Sequence, residues 1–531
     1  MRRALITATA LAAVLATAAP ASADPSDPSG TTDPGTGATG GAPAAPALPD
    51  LPETPEEALD VAVDALAGQP GDAEPEEVEA SLALRDLWLL SDGLEGRDAD
   101  RADSLLARPS DRRRDQYGDG YAAGTPVVRR CAEDVCVHHV ATTEDAASPA
   151  YAERALAVMQ DVHAHHVDEL GWRPPVSDGE RGGDGRFDVY LANLGDQGLY
   201  GYCSPDDGTA RGQRVTDGYC VLDNDFAEPV FSANSPDDNL RVTAAHEYLH
   251  AIQYAYDARE DTWLFEATAT WMEEQYADDV DDNRQYLGAG QLRRPDQPLD
   301  RSVPGSRALY GNWIFFEHLA NRFDPAIVRE VWEAAAPSGP AASTPAATSV
   351  PAVATALAGR GTTLRRAFAA YAGDNTVPAR SSAYPEGAAW GRRAPVARTV
   401  DLDRDRRSSG AVVQRVDHLA SRTVALTSRG FADGVRLRVR VDGPPGAASP
   451  AVQVVVHRRS GSVGRRFVPL NGPSGARTVS LDFASARVSE VTLTLVNASR
   501  RYRCFTGSTF SCQGTPRDDG SAFTLTATAV R

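Results

Sequence analysis

Ser235-Pro236-Asp237-Asp238-Asn239-Leu240-Arg241-Val242-Thr243-Ala244-Ala245-His246-Glu247-Tyr248-Leu249-His250-Ala251-Ile252 is the stretch on which the reading of this 531-residue chain turns. Ser235 can cap a helix, Pro236 suits its first position, and Asp237 and Asp238 sit at the positive end of its dipole. Leu240, Ala244 and Ile252 continue a helical apolar series. On such a helix His246 and His250 project from one face, a turn apart, so both imidazoles reach a single metal ion. Glu247 is then placed beside a water on that ion.

Downstream, Trp263-Leu264-Phe265-Glu266-Ala267-Thr268-Ala269-Thr270-Trp271-Met272-Glu273 reads as a second helix. Glu266 is a carboxylate among apolar neighbours, costly to bury unless a cation satisfies it. Glu273 lies seven residues on, on the same face, so spacing leaves it as a rival third ligand. The chain has ten histidines, and no other pair has this setting.

His246-Glu247-x-x-His250 followed by Trp263-Leu264-x-Glu266-Ala267-x-Ala269 resembles the gluzincin-type (HExxH…E) metallopeptidases, whose third zinc ligand is a glutamate on the next helix. Phe187-Asp188-Val189-Tyr190-Leu191, the Tyr219–Phe226 segment and His250-Ala251-Ile252-Gln253-Tyr254-Ala255-Tyr256 extend the likeness to a family of secreted bacterial zinc metallopeptidases, over residues 126–335. The resemblance implies a zincin-like fold with Zn2+ on His246, His250 and Glu266. The Trp-Leu-x-Glu-Ala match favours Glu266 over Glu273, although the interval from His250 is shorter than in thermolysin-like enzymes. A zinc with one open position lowers the pKa of its water; Glu247 is then the base that deprotonates it and returns the proton to the leaving amine. The oxyanion needs a donor besides the metal. Tyr310, opening the next helix, is the candidate, against packing on Trp313 and Phe316. The implied substrate is a protein or peptide lying along a sheet edge, with Tyr219–Phe226 as the candidate edge, held by a Cys203–Cys220 loop.

Outward from this core, the expected fold class is α+β: a zincin-like metallopeptidase domain over 126–395, an all-β sandwich over 396–531, and a small helical N-terminal segment over 51–125. In that segment Thr54-Pro55-Glu56-Glu57 is a capping box, opening the apolar series Ala58, Val61, Ala62 and Leu66. A second helix runs from Val78 to Leu90. The segment ends near Arg112-Arg113-Arg114, either a solvated loop or a processing site that releases a propeptide. Helices are also expected over 151–170 and 309–321, and a Pro/Ala/Ser-rich surface loop over 336–355. Beyond 396 the apolar period becomes two. Seven strands, at 423–428, 435–441, 452–457, 466–470, 478–483, 491–496 and 523–530, are the pattern of a sandwich.

Residues 1–23 read as a secretory signal: Arg2 and Arg3, an apolar run from Leu5 to Ala19, and an Ala21-Ser22-Ala23 cleavage site. Residues 24–50 are a disordered linker by composition. Secretion makes disulfides of the six cysteines, and proximity pairs Cys131–Cys136, Cys203–Cys220 and Cys504–Cys512. A formal charge of −20, with every one of the 53 basic residues an arginine, speaks against nucleic acid and anionic membranes as partners. After residue 23 no apolar run is long enough to span a membrane.

Other clusters have plainer readings. His163, His165 and His166 are expected at a surface, and His138-His139 on a half-buried edge. Asp178, Asp184 and Asp188 alternate with glycines and could cage Ca2+, but a turn is the simpler reading. Asn497-Ala498-Ser499 is a glycosylation sequon inside an expected strand. The leading function is a secreted zinc endopeptidase. The alternatives are a zinc aminopeptidase, for which no G-A-M-E-N-like amine-binding segment is found, and a non-catalytic binding protein with a vestigial metal site.

Overall fold

The computed structural model describes residues 52–67, 79–111, 119–206, 214–303, 306–337 and 347–531. The signal sequence, the 24–50 linker, Val78 and the arginine run 112–114 lie outside the described residues. The fold mixes helices with several sheets and has a small helical N-terminal region.

That region comprises α1 (Pro55–Ala67), α2 (Ala80–Leu90) and α3 (Arg97–Leu105). The capping box forms as read: Thr54 Oγ1 accepts the Glu57 N–H at 3.2 Å, and Glu57 Oε2 accepts the N–H of Thr54 at 3.3 Å. Leu59, Leu66, Leu84, Leu87 and Trp88 are buried in the same apolar core as the sheet that follows.

This sheet contains β1 (Val127–Cys131), β2 (Val135–Val140), β3 (Phe187–Ala192), β4 (Gly201–Pro205) and β5 (Gly218–Asp223), in the spatial order β1-β2-β3-β5-β4. β2, β3 and β5 are mutually parallel, while β1 and β4 run antiparallel at the two edges. The edge expected at Tyr219–Phe226 is therefore interior, and the outer strand is β4. Its sequence, Gly-Tyr-Cys-Ser-Pro, has no alternation and ends in proline, so it reads as a turn. Cys203–Cys220 joins the β4–β5 pair across a register position. Cys131–Cys136 and Cys504–Cys512 form as expected.

The remaining helices are α4 (Pro149–His163), α5 (Pro236–Asp257), α6 (Thr262–Tyr276), α7 (Ala308–Gly311), α8 (Trp313–Arg322), α9 (Ala326–Ala335), α10 (Ser349–Gly359) and α11 (Leu364–Asp374); α4 and α5 pack on the sheet, and α11 packs on strands of the C-terminal part. Ser235 caps α5, its hydroxyl accepting the Asp238 N–H at 3.2 Å. α5 is buried on every side, between the sheet and helices α4, α6 and α9. The helix expected over 309–321 breaks at Asn312. Of the loop expected over 336–355, residues 338–346 lie outside the described residues, and the end is helical, because Ser349-Val350-Pro351 begins α10; proline is tolerated in a first turn, and Val350 and Val353 are buried.

The histidine cluster at 163–166 departs from expectation. His163 and His166 are buried against α5, with His163 Nδ1 2.6 Å from the Tyr248 hydroxyl. His166 Nε2 lies 3.1 Å from the Ala245 carbonyl; since a carbonyl only accepts, this nitrogen donates. Burial drives its pKa down to about 3. His138 and His139 are both buried on an inner strand, His138 against Asp188 at 2.7 Å. Asp178 and Asp188 both pair with buried Arg108, whereas Asp184 pairs with Arg129 and Arg186, so the three do not form one cage.

The C-terminal part has two sheets that share an apolar core. One is ordered β11-β10-β13-β8-β6, the other β12-β9-β16-β7. In chain order the strands are β6 (Arg398–Leu402), β7 (Ser408–Val416), β8 (Ala420–Ser428), β9 (Arg436–Asp442), β10 (Pro450–Arg458), β11 (Val463–Pro469), β12 (Ala476–Asp482), β13 (Val488–Asn497), β14 (Tyr502–Arg503), β15 (Thr515–Pro516) and β16 (Ser521–Val530). All seven expected strands are present. Val454 and Leu493 from one sheet meet Leu437 and Leu525 from the other. β6, β7 and the two-residue strands β14 and β15, which pair with each other, go beyond the expected seven; β7 is mostly exposed and carries a glycine, so it lacks a clean alternation. The Asn497 side chain is fully buried and donates to the Val416 and Asp518 carbonyls, which makes the sequon inaccessible in the fold.

Candidate metal centre

α5 and α6 bring His246, His250 and Glu266 together, one ligand atom from each lying within 4.8 Å of the others. His246 Nε2 is 3.5 Å from Glu266 Oε2, and His250 Nε2 is 3.6 Å from Glu266 Oε1. These separations are long for hydrogen bonds. They match the edge of a tetrahedron, about 3.4 Å, around an ion about 2.1 Å from each ligand.

The outer nitrogens fix the tautomers. His246 Nδ1 lies 2.6 Å from Glu273 Oε1, and His250 Nδ1 lies 2.7 Å from Gln253 Oε1. Gln253 is oriented in turn, because its Nε2 donates to the Phe265 carbonyl and the Thr268 hydroxyl, each at 3.0 Å. Both Nδ1 atoms therefore donate, and both Nε2 atoms present lone pairs. His250 Nε2 and both carboxylate oxygens of Glu266 are buried without a hydrogen-bond partner. Two lone pairs and a carboxylate brought this close together in a buried setting fit a cation. Burial opposes charge on His246, yet Glu266 and Glu273 raise its pKa; a cation would replace the proton they favour.

Glu273 thus faces the outer nitrogen of His246 rather than the point of convergence. Glu247 is buried beside the ligands, and burial pushes its carboxyl up to about 7 against the pull of His246 and a hydrogen bond from Ser81. Tyr310, at the end of the short α7, lies with its ring 6.1 Å from that of His246 and stacks on Tyr286 at 4.9 Å. Gly311 makes this stack possible: a Cβ there would lie 2.4 Å from the Tyr286 carbonyl oxygen. A second glycine, Gly201 of β4, lets the edge strand approach the face of α5 that carries Thr243 and Glu247. A Cβ at Gly201 would meet Thr243 Cγ2 at 2.9 Å and Glu247 Cγ at 3.1 Å.

Sequence reasoning missed three residues here. Gln253 lies one turn beyond His250, where an amide can reach the outer nitrogen; that spacing was the available signal. Ser81 and Glu79 come from α2 and its N-cap, more than 160 residues before the motif, and nothing local marks them. Ser81 Oγ donates to Glu247 Oε2 at 2.9 Å. A carboxylate oxygen of Glu79 lies within 4.8 Å of ligand atoms on both Glu247 and His250. Among the described residues, two further groups have metal-compatible spacing: Cys131 and Cys136 with Asp184, where both sulfurs are in a disulfide, and Glu274, Asp278 and Glu386, which include no imidazole.

No protein-family model and no curated protein matches the chain. Among solved structures, it is similar to CorA, described as a surface-associated copper-binding protein important in copper acquisition by Methylomicrobium album BG8. That likeness has 7% identity and a TM-score of 0.17, and covers 25% of this chain and 98% of the other. A second likeness, to the family GH115 4-O-methyl-alpha-glucuronidase BtGH115A, has 10% identity and a TM-score of 0.15. It covers 54% of this chain and 42% of the other. At these scores neither bears on function. No described helix is long and apolar enough to cross a membrane.

Proposed function

We propose that the protein is a secreted zinc-dependent endopeptidase of gluzincin type, with His246, His250 and Glu266 as zinc ligands. The observation that carries the reading is the convergence of two oriented Nε2 lone pairs and the orphaned Glu266 carboxylate beside a buried Glu247. A zinc ion held there supplies Lewis-acid polarisation of a carbonyl and a water acidified toward neutrality. Glu247, buried beside these ligands, would take the proton from the attacking water and pass it to the departing amine nitrogen. Tyr310, next to His246, is the side chain from which a hydroxyl would donate to the developing oxyanion. A substrate strand would pair with the outer edge of β4, which borders Glu247 through Gly201. A purely structural metal site needs ligands but no base, so Glu247 weighs against a vestigial site. The three disulfides agree with an oxidising, extracellular setting.

The test is prolonged incubation of the zinc-loaded protein with a library of unstructured peptides, with and without a chelator, next to Glu247→Gln. Cleavage at internal bonds that stops with chelator and falls about 100-fold or more in Glu247→Gln is expected. Equal inertness of both proteins would favour a binding protein, and trimming from free N-termini alone would favour an aminopeptidase.

A further inference from the structure

The metallopeptidase reading needs a substrate to reach the buried centre along the edge of β4. That edge is already occupied. Cys203 ties its sulfur to Cys220 of β5, while its backbone N–H donates to Ser81 Oγ of α2 at 2.9 Å. The Cys203 carbonyl accepts from the Tyr254 hydroxyl at 3.1 Å. The same Ser81 hydroxyl donates to Glu247 Oε2, so one side-chain oxygen bridges the substrate edge and the proposed base. The helix that carries it, α2, packs along β4. Its N-cap, Glu79, accepts the Leu82 N–H at 2.8 Å through Oε2 and brings its carboxylate to within reach of His250 and Glu247.

We propose that α2 and its cap are a resident occupant of the substrate cleft, with Glu79 as an additional, displaceable ligand of the metal centre and Ser81 standing in for the oxygen that Glu247 would otherwise engage. The inference rests on the metallopeptidase reading and names a regulation of that same site. Two independent observations support it. First, His246, Glu247, His250 and Glu266 are all buried with α2 docked against Glu247. Second, the segment is anchored from within. Arg85 donates to the Glu260 carbonyl at 3.2 Å and lies 4.9 Å from the Phe265 ring, next to the Glu266 turn. Arg108, just past α3, is buried among Asp178, Asp188 and Asp206. An acid and a hydroxyl held against a metal centre by a separately anchored helix form a self-supplied inhibitor. No cysteine precedes position 131, so a thiolate cannot play that part.

The test uses the full chain loaded with Co2+, whose visible spectrum reports its ligands, titrated with acetohydroxamate, a small chelating probe of an open coordination position. In the wild type the spectrum should resist the probe. Glu79→Ala with Ser81→Ala should bind it at least tenfold more tightly and should also cleave unstructured peptides faster than wild type. The isosteric Glu79→Gln, which keeps the bulk of the side chain and its cap, guards against misfolding and should move in the same direction. Equal hydroxamate affinity in wild type and both variants, or weaker binding in the variants, overturns the proposal. If the variants gain hydroxamate binding and still leave every peptide intact, the occlusion stands and the peptidase reading fails. Failure of the wild type to bind Co2+ would sink both.

Discussion

At the residue scale, the decisive arrangement is one of paired roles around each histidine. His246 uses its outer nitrogen on Glu273 and His250 uses its own on Gln253, which leaves both inner nitrogens for a metal. The motif made His246, Glu247 and His250 legible. It could not separate Glu266 from Glu273, because both fall on one helix face; only the direction of the His246 ring distinguishes them. Glu273→Gln and Gln253→Ala should weaken metal binding by about 10- to 100-fold without abolishing it, as loss of an orienting partner does. Metal competition with a coloured chelator would measure this, and unchanged affinity in both would contradict the assigned tautomers. Gly201 makes a sharper packing prediction. Gly201→Val should cost about 1–3 kcal/mol and disturb Glu247, because its Cβ has no room between β4 and α5. Thermal melting against the wild type checks it, and an unchanged Tm would mean that the strand yields.

At the element scale, long elements with strong periodicity were readable and short edge elements were not. α5 shows its cap, proline and acidic first turn in sequence, and the structure begins it at Pro236. The strands of the shared C-terminal core alternate plainly, so all seven expected ones exist. β4 went unread because a five-residue strand bounded by Gly and Pro has no pattern, and its partnership with α2 depends on a contact across some 120 residues. The histidines at 163–166 misled for a related reason: their burial is imposed by α5, not by their neighbours in sequence. The anchoring of the N-terminal helices by Arg108 is testable at this scale. Arg108→Met removes the cation shared by three buried carboxylates, of which Asp206 keeps Arg181 and Asp188 keeps His138, and breaking such a network costs about 3–5 kcal/mol. The variant should show faster proteolysis of the N-terminal segment and a lower denaturant midpoint. Unaltered proteolysis would place the anchor elsewhere.

At the scale of the whole molecule, the C-terminal sheets are tied to the helical part through a buried ionic group that no sequence pattern announces. His418 lies 2.8 Å from Asp300 and 2.6 Å from Asp519, and Asp300 also accepts the Tyr502 hydroxyl at 2.7 Å. Burial works against charge on His418, but Asp300 and Asp519 prevail and push its pKa up to about 10. A raised pKa means that this stabilisation is complete below the unfolded value of about 6.5 and is lost as pH rises through about 10. The difference in Tm between wild type and His418→Gln should therefore shrink from pH 6 to pH 10; a constant difference would contradict the ion pairing. The central claim, that α5 and α6 form a zinc site with Glu266 as third ligand, is tested most directly by zinc content in native mass spectrometry. Wild type and Glu247→Gln should each carry one zinc ion, and Glu266→Ala should carry none. Retention of zinc by Glu266→Ala together with its loss from Glu273→Ala would contradict the account.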